Sequence, residues 1–542
     1  MKCFNRLWAM KRALFLFAIL LTLFACDPQN TPVEPDAPKT MITKAAITSG
    51  YDSIIVSFGG NAQLDITKLD ETKITITPKT DFVYDASVQG SNLILALKQN
   101  LNYFTSYTFR FSNGNNLGVY VLDDFTYKFT TPYDPNPKKP TISDDELLTL
   151  VQQQTFRYFY DFAHPTSGLA RERNTSGDIV TTGGSGFGLA AFPVAVERGF
   201  ITREEALAHC TKVVNFLADS AERFHGAYPH WINGKTGQTI AFSTKDDGAD
   251  LVETAFLIEG LLVLRQYFSG ASAEETELRN KITAIWEAVD WTWFQKNGSN
   301  VLYWHWSPKY EWAMNMPVRG WNEALIVYVL AASSPTHPID KTVYTEGWAR
   351  NGNMRNGKKY YDIVLPLGEE KGGPLFFAHY SFLGLNPTNL SDEYANYMEQ
   401  NTAQARINYT YSLTHRTQPA DPNQAHWGLT ASDVPDGYYA TSPTNDNGTT
   451  APTAALASMP YTPAESMAAL RYFYYILGDR LWGEYGFYDA FNLPSRWFAR
   501  SYLAIDQGPI IVMIENYRSG LVWNLMMQDP DVQSGLNKLG FN

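Results

Sequence analysis

Residues 245–264 read KDDGADLVETAFLIEGLLVL. From Leu251 to Leu264 the stretch is apolar nearly all round, and acids crowd its start. A helix that is apolar on every face packs among other helices, not against water. Ala324-Leu325-Ile326-Val327-Tyr328-Val329-Leu330 has the same character. Neither run approaches the roughly 20 apolar residues a bilayer span requires. Candidate helices fall near 144–163, 184–198, 202–224, 249–268, 275–296, 320–333, 390–405, 462–479 and 508–528, with Gly or Pro at most ends. Buried helices alternating with amphipathic ones predict two concentric layers, an all-α (α/α)6 toroid over residues 144–542.

Upstream, the pattern changes. Ser143 with Glu146 forms a capping box that opens the first helix. Residues 133–143, YDPNPKKPTIS, read as a Pro-rich linker. Residues 41–132 read as all-β. Ser53-Ile54-Ile55-Val56-Ser57-Phe58, Lys73-Ile74-Thr75-Ile76-Thr77 and Tyr107-Thr108-Phe109-Arg110-Phe111 alternate apolar and polar side chains. That spacing predicts a small immunoglobulin-like sandwich. It carries no Trp and no catalytic-looking cluster, so a spacer or packing role is expected of it.

The first residues are not fold. Lys2, Arg6, Lys11 and Arg12 precede the apolar stretch Ala13–Ala25, which has the layout of a signal peptide (1–25). Leu23-Phe24-Ala25-Cys26 resembles a bacterial lipobox, which implies cleavage before Cys26 and its lipidation. The alternative is a plain signal peptide with an incidental Cys. Residues 26–40, rich in Pro and acid, read as a tether. The expected location is the cell envelope, lipid-anchored on a periplasmic or outer surface. Only Cys210 then remains, so neither an internal disulfide nor a Cys-based metal site is expected.

The formal charge is −12, and no basic run follows the N-terminus, which argues against nucleic acid as a partner. There is no HExxH, CxxC or P-loop; Gly183-Gly184-Ser185-Gly186-Phe187-Gly188 fits neither GxSxG nor GxGxxG. The nine His show no paired metal spacing, so no metal or cofactor is expected.

Carboxylates are the stronger lead. Asp246 and Asp247 precede the helix of 249–268, and Asp250 and Glu253 share one face of it. Glu323 stands in the first turn expected of the helix of 320–333. Asp506 lies just before the last one. Each has a plainer reading as a cap or a partner of the helix dipole, and Glu465 completes a capping box with Thr462. Taken together they predict convergence at one rim of the toroid. Acids beside aromatic rings are what glycoside hydrolysis uses: one carboxyl protonates the leaving oxygen, and one carboxylate activates water or attacks carbon. Trp304, Trp306, Trp312, Trp321, His379, Tyr380 and Trp427 are aromatic candidates for core or sugar platform. Arg173, in Arg171-Glu172-Arg173, is either a solvated charge or an edge of the site.

FRYFYDFAHPTSGLARER, GSGFGLAAFPVAVERGFI, KDDGADLVETAFLIEGLL, RGWNEALIVYVLA, PLFFAHYSFLG and AIDQGPIIVMIENYRSGLVW resemble the glucoamylase-like domain of glycoside hydrolase family 144 over about 150–528. The resemblance implies an inverting (α/α)6 enzyme acting on β-1,2-glucan, either endo-acting or releasing the disaccharide sophorose. It implies Glu323 as general acid and Asp506 as general base. It places Asp246, Asp250 and Glu253 in the substrate cleft, and we add Arg173, Trp321, His379, Tyr380 and Trp427 as candidate substrate-binding residues. Inversion leaves room for a water, so the two carboxyls are expected about 6.5–9.5 Å apart. The polar stretch 416–453 is expected to close one end of the cleft, favouring exo action. Three alternatives stay open: hydrolysis of another glucan, a polysaccharide lyase, and a sugar-binding surface lipoprotein without catalysis.

Overall fold

A computed structural model describes residues 36–78, 82–415 and 426–542. The expected signal peptide, Cys26 and the expected tether up to residue 35 lie outside the described residues, as does 416–425. The chain divides into two compact units, residues 1–131 and 132–542.

In the first unit the described regular structure is β-strand apart from two short 3-10 turns at Ile66–Lys68 and Glu71–Lys73. Its strands are β1 (Lys39–Thr40), β2 (Ile42–Ile47), β3 (Ser53–Phe58), β4 (Ile74–Thr77), β5 (Tyr84–Gln89), β6 (Asn92–Leu97), β7 (Ser106–Phe111), β8 (Gly114–Asn116), β9 (Val119–Val121) and β10 (Phe125–Thr130). They form an antiparallel sheet β2-β3-β6-β5, a second sheet β10-β7-β4, and a small sheet β1-β9-β8. Alternation decides what faces inward. Ile54, Val56 and Phe58 of β3 point into one core with Tyr107, Phe109 and Phe111 of β7. Phe58 meets Phe111 edge to face at 5.8 Å.

The second unit is helix-rich. It holds α1 (Asp144–Tyr160), α2 (Thr182–Glu197), α3 (Arg203–Asp219), α4 (Leu251–Tyr267), α5 (Ala273–Glu287), α6 (Leu325–Ser333), α7 (Tyr397–His415), α8 (Pro452–Leu456), α9 (Pro463–Arg471), α10 (Gly478–Leu481), α11 (Ala504–Arg518), α12 (Leu521–Gln528) and α13 (Pro530–Leu539). Helices α2, α4, α6 and α11 are buried over most or all of their length, whereas α1, α3 and α5 bury one face. Among the described residues no helix is long and apolar enough to cross a membrane.

The expected boundaries shift where side chains intervene. The Ser143–Glu146 capping box forms. The one expected at Thr462 does not, because its hydroxyl bonds Ser458 and Ser466 instead. Helix α6 begins at Leu325, so Glu323 stands in the turn before the helix and not in its first turn. There the Ser381 hydroxyl donates to the Glu323 carbonyl and accepts from the Ile326 amide at 3.0 Å. Asp506 moves the other way, into the first turn of α11. The helix expected over 508–528 breaks at Ser519–Gly520, where Gly520 takes φ 72°. The expected linker is no free strap: Ile142 donates to the Tyr475 hydroxyl at 3.0 Å, and Tyr133 donates to Asp479 at 2.6 Å.

The glycine-rich start of α2 has a packing reason. A Cβ on Gly186 would lie 2.1 Å from the Phe256 carbonyl oxygen of α4, and one on Gly260 would lie 2.1 Å from the Gly186 carbonyl oxygen. The two backbones touch directly, so neither position has room for a methyl group. Elsewhere in a helix, Gly→Ala gains up to about 1 kcal/mol. Here the overlap outweighs that gain, because forcing atoms into a packed core costs about 1–3 kcal/mol or more. Gly186→Ala is expected to lower the thermal midpoint of the purified chain in calorimetry; a raised midpoint would show that the crossing is loose.

Candidate active site

A cleft of about 470 Å³ opens at the N-terminal ends of the buried helices. Glu253, Glu323, Arg173, Glu172, His230 and Tyr380 line it, with the rings of Trp231, Phe242, Phe256, Trp304, Phe376 and Tyr438. A roomier surface groove of about 610 Å³ lies between α3 and α5; none of its lining residues is aromatic.

Chain order explains one group of acids. Asp250 caps α4: its Oδ1 accepts from the amides of Val252 and Glu253, both at 3.0 Å. Its other oxygen faces Nδ1 of His230 at 3.1 Å. His305 Nε2 stands 3.5 Å from Asp246 and 3.7 Å from Asp250. Glu253 accepts from the Gly183 amide at 2.8 Å, which ties the start of α4 to that of α2. Asp247 turns away to Ser307 and Lys309.

These environments separate the acids. Burial opposes ionisation of Asp250, but the hydrogen bond from His230 and the charges of His305 and His230 hold it below its ordinary pKa. Burial, then the Asp250 charge, pushes Asp246 up to about 7. Burial raises Glu253 as well. Glu323 is pushed up to about 7 by burial, with the Glu253 and Asp250 charges adding to it. Burial works against the His230 cation, yet Glu253 and Asp250 raise that imidazole to about 9. Ligand atoms of His230, Asp246 and Asp250 lie within 4.8 Å of one another, the spacing of a candidate cation site. Raised to about 9, the His230 imidazole itself supplies positive charge to these acids near neutral pH.

A second group lies around the start of α11. Asp506 is buried, and burial followed by the Asp489 charge raises its pKa well above the ordinary value. Burial and Asp433 push Asp489 up to about 7. Arg173 donates to both oxygens of Asp433, at 3.3 and 3.2 Å, and to Glu172. Burial, and then the charges of Asp506, Glu323 and Glu253 among others, hold the Tyr380 phenol well above its ordinary pKa, and Tyr380 lines the cleft together with Glu323 and Glu253.

Three aromatic expectations are corrected. Trp321 is buried, its Nε1 donating to Gln404 at 2.8 Å and its ring packed against Phe382 and Tyr397. Trp427 is wholly buried, donating to the Glu465 carbonyl at 3.3 Å. His379 sits 2.9 Å from Ser458, and burial pushes its pKa down to about 3. All three are core, their polar atoms satisfied internally. The rings that rim the cleft include Trp231, Phe242 (stacked on His230 at 4.2 Å) and Tyr438, which no sequence signal singled out. Tyr438 belongs to the hairpin of Ala431–Val434 and Gly437–Ala440, which lies within the described residues 426–453 of the polar 416–453 stretch.

The family model described as "Putative glucoamylase" matches residues 315–530. An endo-β-1,2-glucanase from Chitinophaga pinensis, solved with sophorotriose and glucose, is 48% identical with a TM-score of 0.72, covering 74% of this chain and 99% of that one. The chain belongs to glycoside hydrolase family 144. A β-1,2-glucanase structure from Parabacteroides distasonis is 38% identical with a TM-score of 0.71, over 93% of this chain and 73% of that one. A curated relative from the same organism, an exo β-1,2-glucooligosaccharide sophorohydrolase acting at the non-reducing end, is 46% identical over 421 residues. That match covers 73% of this chain, which spans 58% of the relative's length. Within this family-144 chain the raised Glu323 is directly measurable. In carboxyl-labelled protein followed by NMR, the resonance lost in Glu323→Gln is expected to titrate near 7; titration near the ordinary 4.5 would contradict the burial argument.

Proposed function

We propose that this chain is an inverting glycoside hydrolase of β-1,2-glucan or its oligosaccharides, with Glu323 as general acid and Asp506 as general base. The observation that carries the reading is a cleft rimmed by aromatic rings and lined by Glu323, Glu253 and Tyr380, with the buried Asp506 next in sequence to its lining residue Ile505. A carboxyl raised to about 7 still holds a proton to donate near neutral pH. Flat rings suit the apolar faces of glucose, and the acids and Arg173 suit its hydroxyls. The names of the relatives supply the linkage.

In this mechanism Glu323 gives its proton to the leaving glycosidic oxygen, directly or through the free 3-hydroxyl beside a β-1,2 bond. Asp506 takes a proton from a water that attacks the anomeric carbon from the opposite face. The C–O bond to the leaving sugar breaks as the C–O bond to water forms, and the configuration inverts. Asp246, Asp250 and Glu253, with His230 and His305, are read as holding hydroxyls and setting the charge around the acid. We read the helical unit as an (α/α)6 toroid and the β unit as an immunoglobulin-like spacer. The Tyr438 hairpin walls one side of the cleft, which favours release of short products from a chain end.

Glu323→Gln and Asp506→Asn are each expected to lower kcat on β-1,2-glucan by about 10³-fold or more. Fresh products followed by NMR are expected as the α-anomer, with the disaccharide dominant among early products. The rate is expected to fall as pH rises through about 7, where Glu323 loses its proton. Starch cleavage in place of β-1,2-glucan cleavage, β-anomeric products, or full activity in either variant would contradict the assignment. An early ladder of longer products would contradict the exo reading alone.

We also propose a lipid anchor at Cys26, supported by the lipobox-like sequence and the acidic, Pro-rich tether. Expressed in a bacterium fed labelled palmitate, the full chain is expected to carry label in the membrane fraction, and Cys26→Ser to lose both. Label retained in Cys26→Ser would place the lipid elsewhere, and an unlabelled unmodified chain would overturn the anchor.

A further inference from the structure

Trp306 and Trp312 neither line the cleft nor join the core; both are half-buried. They belong to one surface cluster with Trp293, which is 38% exposed. His225 stacks on Trp293 at 3.7 Å, the two rings 13° from parallel. Trp306 stands nearly at right angles to both, 5.0 Å from His225 and 6.3 Å from Trp293. Trp312 lies 6.3 Å from Trp293, tilted by 32°. Tyr310 and Met316, each 43% exposed, belong to the same chain segment as Trp306 and Trp312. Single exposed apolar side chains are ordinary, but a contiguous group of them marks a surface that something covers.

The backbone holds these rings in place by itself. The Trp293 amide donates to the Asp290 carboxylate at 3.0 Å, and the Asp290 amide donates to the His225 carbonyl at 3.0 Å, so both segments set the stacked pair. Trp306 is fixed by its strand, since His305–Trp306 pairs with Ala249–Asp250 at the start of α4. Rings fixed in advance lose little freedom on binding.

Continuity and chemistry decide what covers them. Trp304, two residues before Trp306, lines the cleft, and His305 between them faces Asp246 and Asp250. His225 likewise leads within five residues to His230, another wall of the cleft. The same two chain segments therefore build the cluster and the cleft. The indoles of Trp286, Trp321, Trp427 and Trp523 donate to protein acceptors. Those of Trp293, Trp306 and Trp312 donate to none among the described residues. Flat faces edged by unused donors suit the apolar face and hydroxyl rim of a sugar, whereas a dry apolar partner would leave those donors unpaired.

We propose that Trp293, Trp306 and Trp312 form a second glucan-binding platform beside the cleft, on which β-1,2-glucan units beyond those held at the scissile bond stack. The proposal rests on the reading of the cleft as the site of β-1,2-glucan hydrolysis. The platform holds ground state and transition state alike, so it lowers KM for long chains and leaves kcat as it is.

The test compares a long β-1,2-glucan with the shortest β-1,2-gluco-oligosaccharide that the unmodified chain cleaves. In Trp293→Ala and in Trp312→Ala, KM for the long glucan is expected to rise about three- to tenfold at unchanged kcat. KM for the short substrate is expected to change by less than about twofold. Trp293→Phe, which keeps a ring, is expected to recover part of the loss. Equal changes on both substrates, or none on either, would overturn the platform. Should the alanine variants not fold, NMR of the Glu323→Gln chain labelled at its indole nitrogens decides. The Trp293 and Trp312 N–H resonances, identified by their loss in the phenylalanine variants, are expected to move with the long glucan and to stay with the short one. Resonances unmoved by a long glucan that the unmodified chain cleaves overturn the platform and leave the hydrolase reading standing. A chain that neither binds nor cleaves β-1,2-glucan sinks that reading, and the platform's ligand with it.

Discussion

The active cleft depends on the direct backbone contact between α2 and α4. Gly186 and Gly260 remove the side chains that would hold the two helices apart. Contact this close lets Glu253, three residues into α4, accept from the Gly183 amide at the start of α2. A larger residue at either crossing glycine would move the starts of the two helices relative to each other. The cost would be twofold: lost packing, and a displaced carboxylate in the wall of the cleft. The same glycines that resist any motif reading are the ones that set where the acids stand.

From that crossing follows the electrostatic division of the site. Near α4 the acids are matched by one imidazole: His230, raised to about 9, helps hold Asp250 ionised, while burial leaves Glu323 and Asp246 near 7. Near α11 the balance rests on one guanidinium, Arg173, bound to Asp433 and Glu172, while burial raises Asp489 and Asp506. A low-dielectric cleft that carries more acids than cations must retain protons. Retained protons are what a general acid needs. The excess of carboxylates therefore follows from the chemistry proposed and is no defect of the packing.

The sequence was readable where one residue type dominates over a full period. The apolar faces of α4 and α6 announced burial, and the alternation in β3 and β7 announced sheets, because each pattern repeats several times within one element. Boundaries were less readable. Glu323 lies before α6 because the Ser381 hydroxyl, 58 residues away, takes the bonds a first turn would make. The acids at 246, 250, 253, 323 and 506 were visible because each opens an apolar helix. His230, Asp433 and Asp489 were not, since they stand in loops and short strands with no periodicity and reach the site only through tertiary packing. Trp321, His379 and Trp427 misled for the opposite reason. An aromatic near an acid in sequence, as Trp321 is, or in a loop-like stretch, as His379 and Trp427 are, has the same composition whether it faces sugar or core.

The most direct test of the account is a crystal structure of the Glu323→Gln protein with a bound β-1,2-gluco-oligosaccharide. The account predicts one glycosidic bond lying between residue 323 and Asp506, their carboxyl-bearing carbons about 6.5–9.5 Å apart. It also predicts a water between Asp506 and the anomeric carbon, and Tyr380 and Tyr438 against the sugar. A glucan bound with both residues on the same face of the sugar, or with no room for that water, would contradict it.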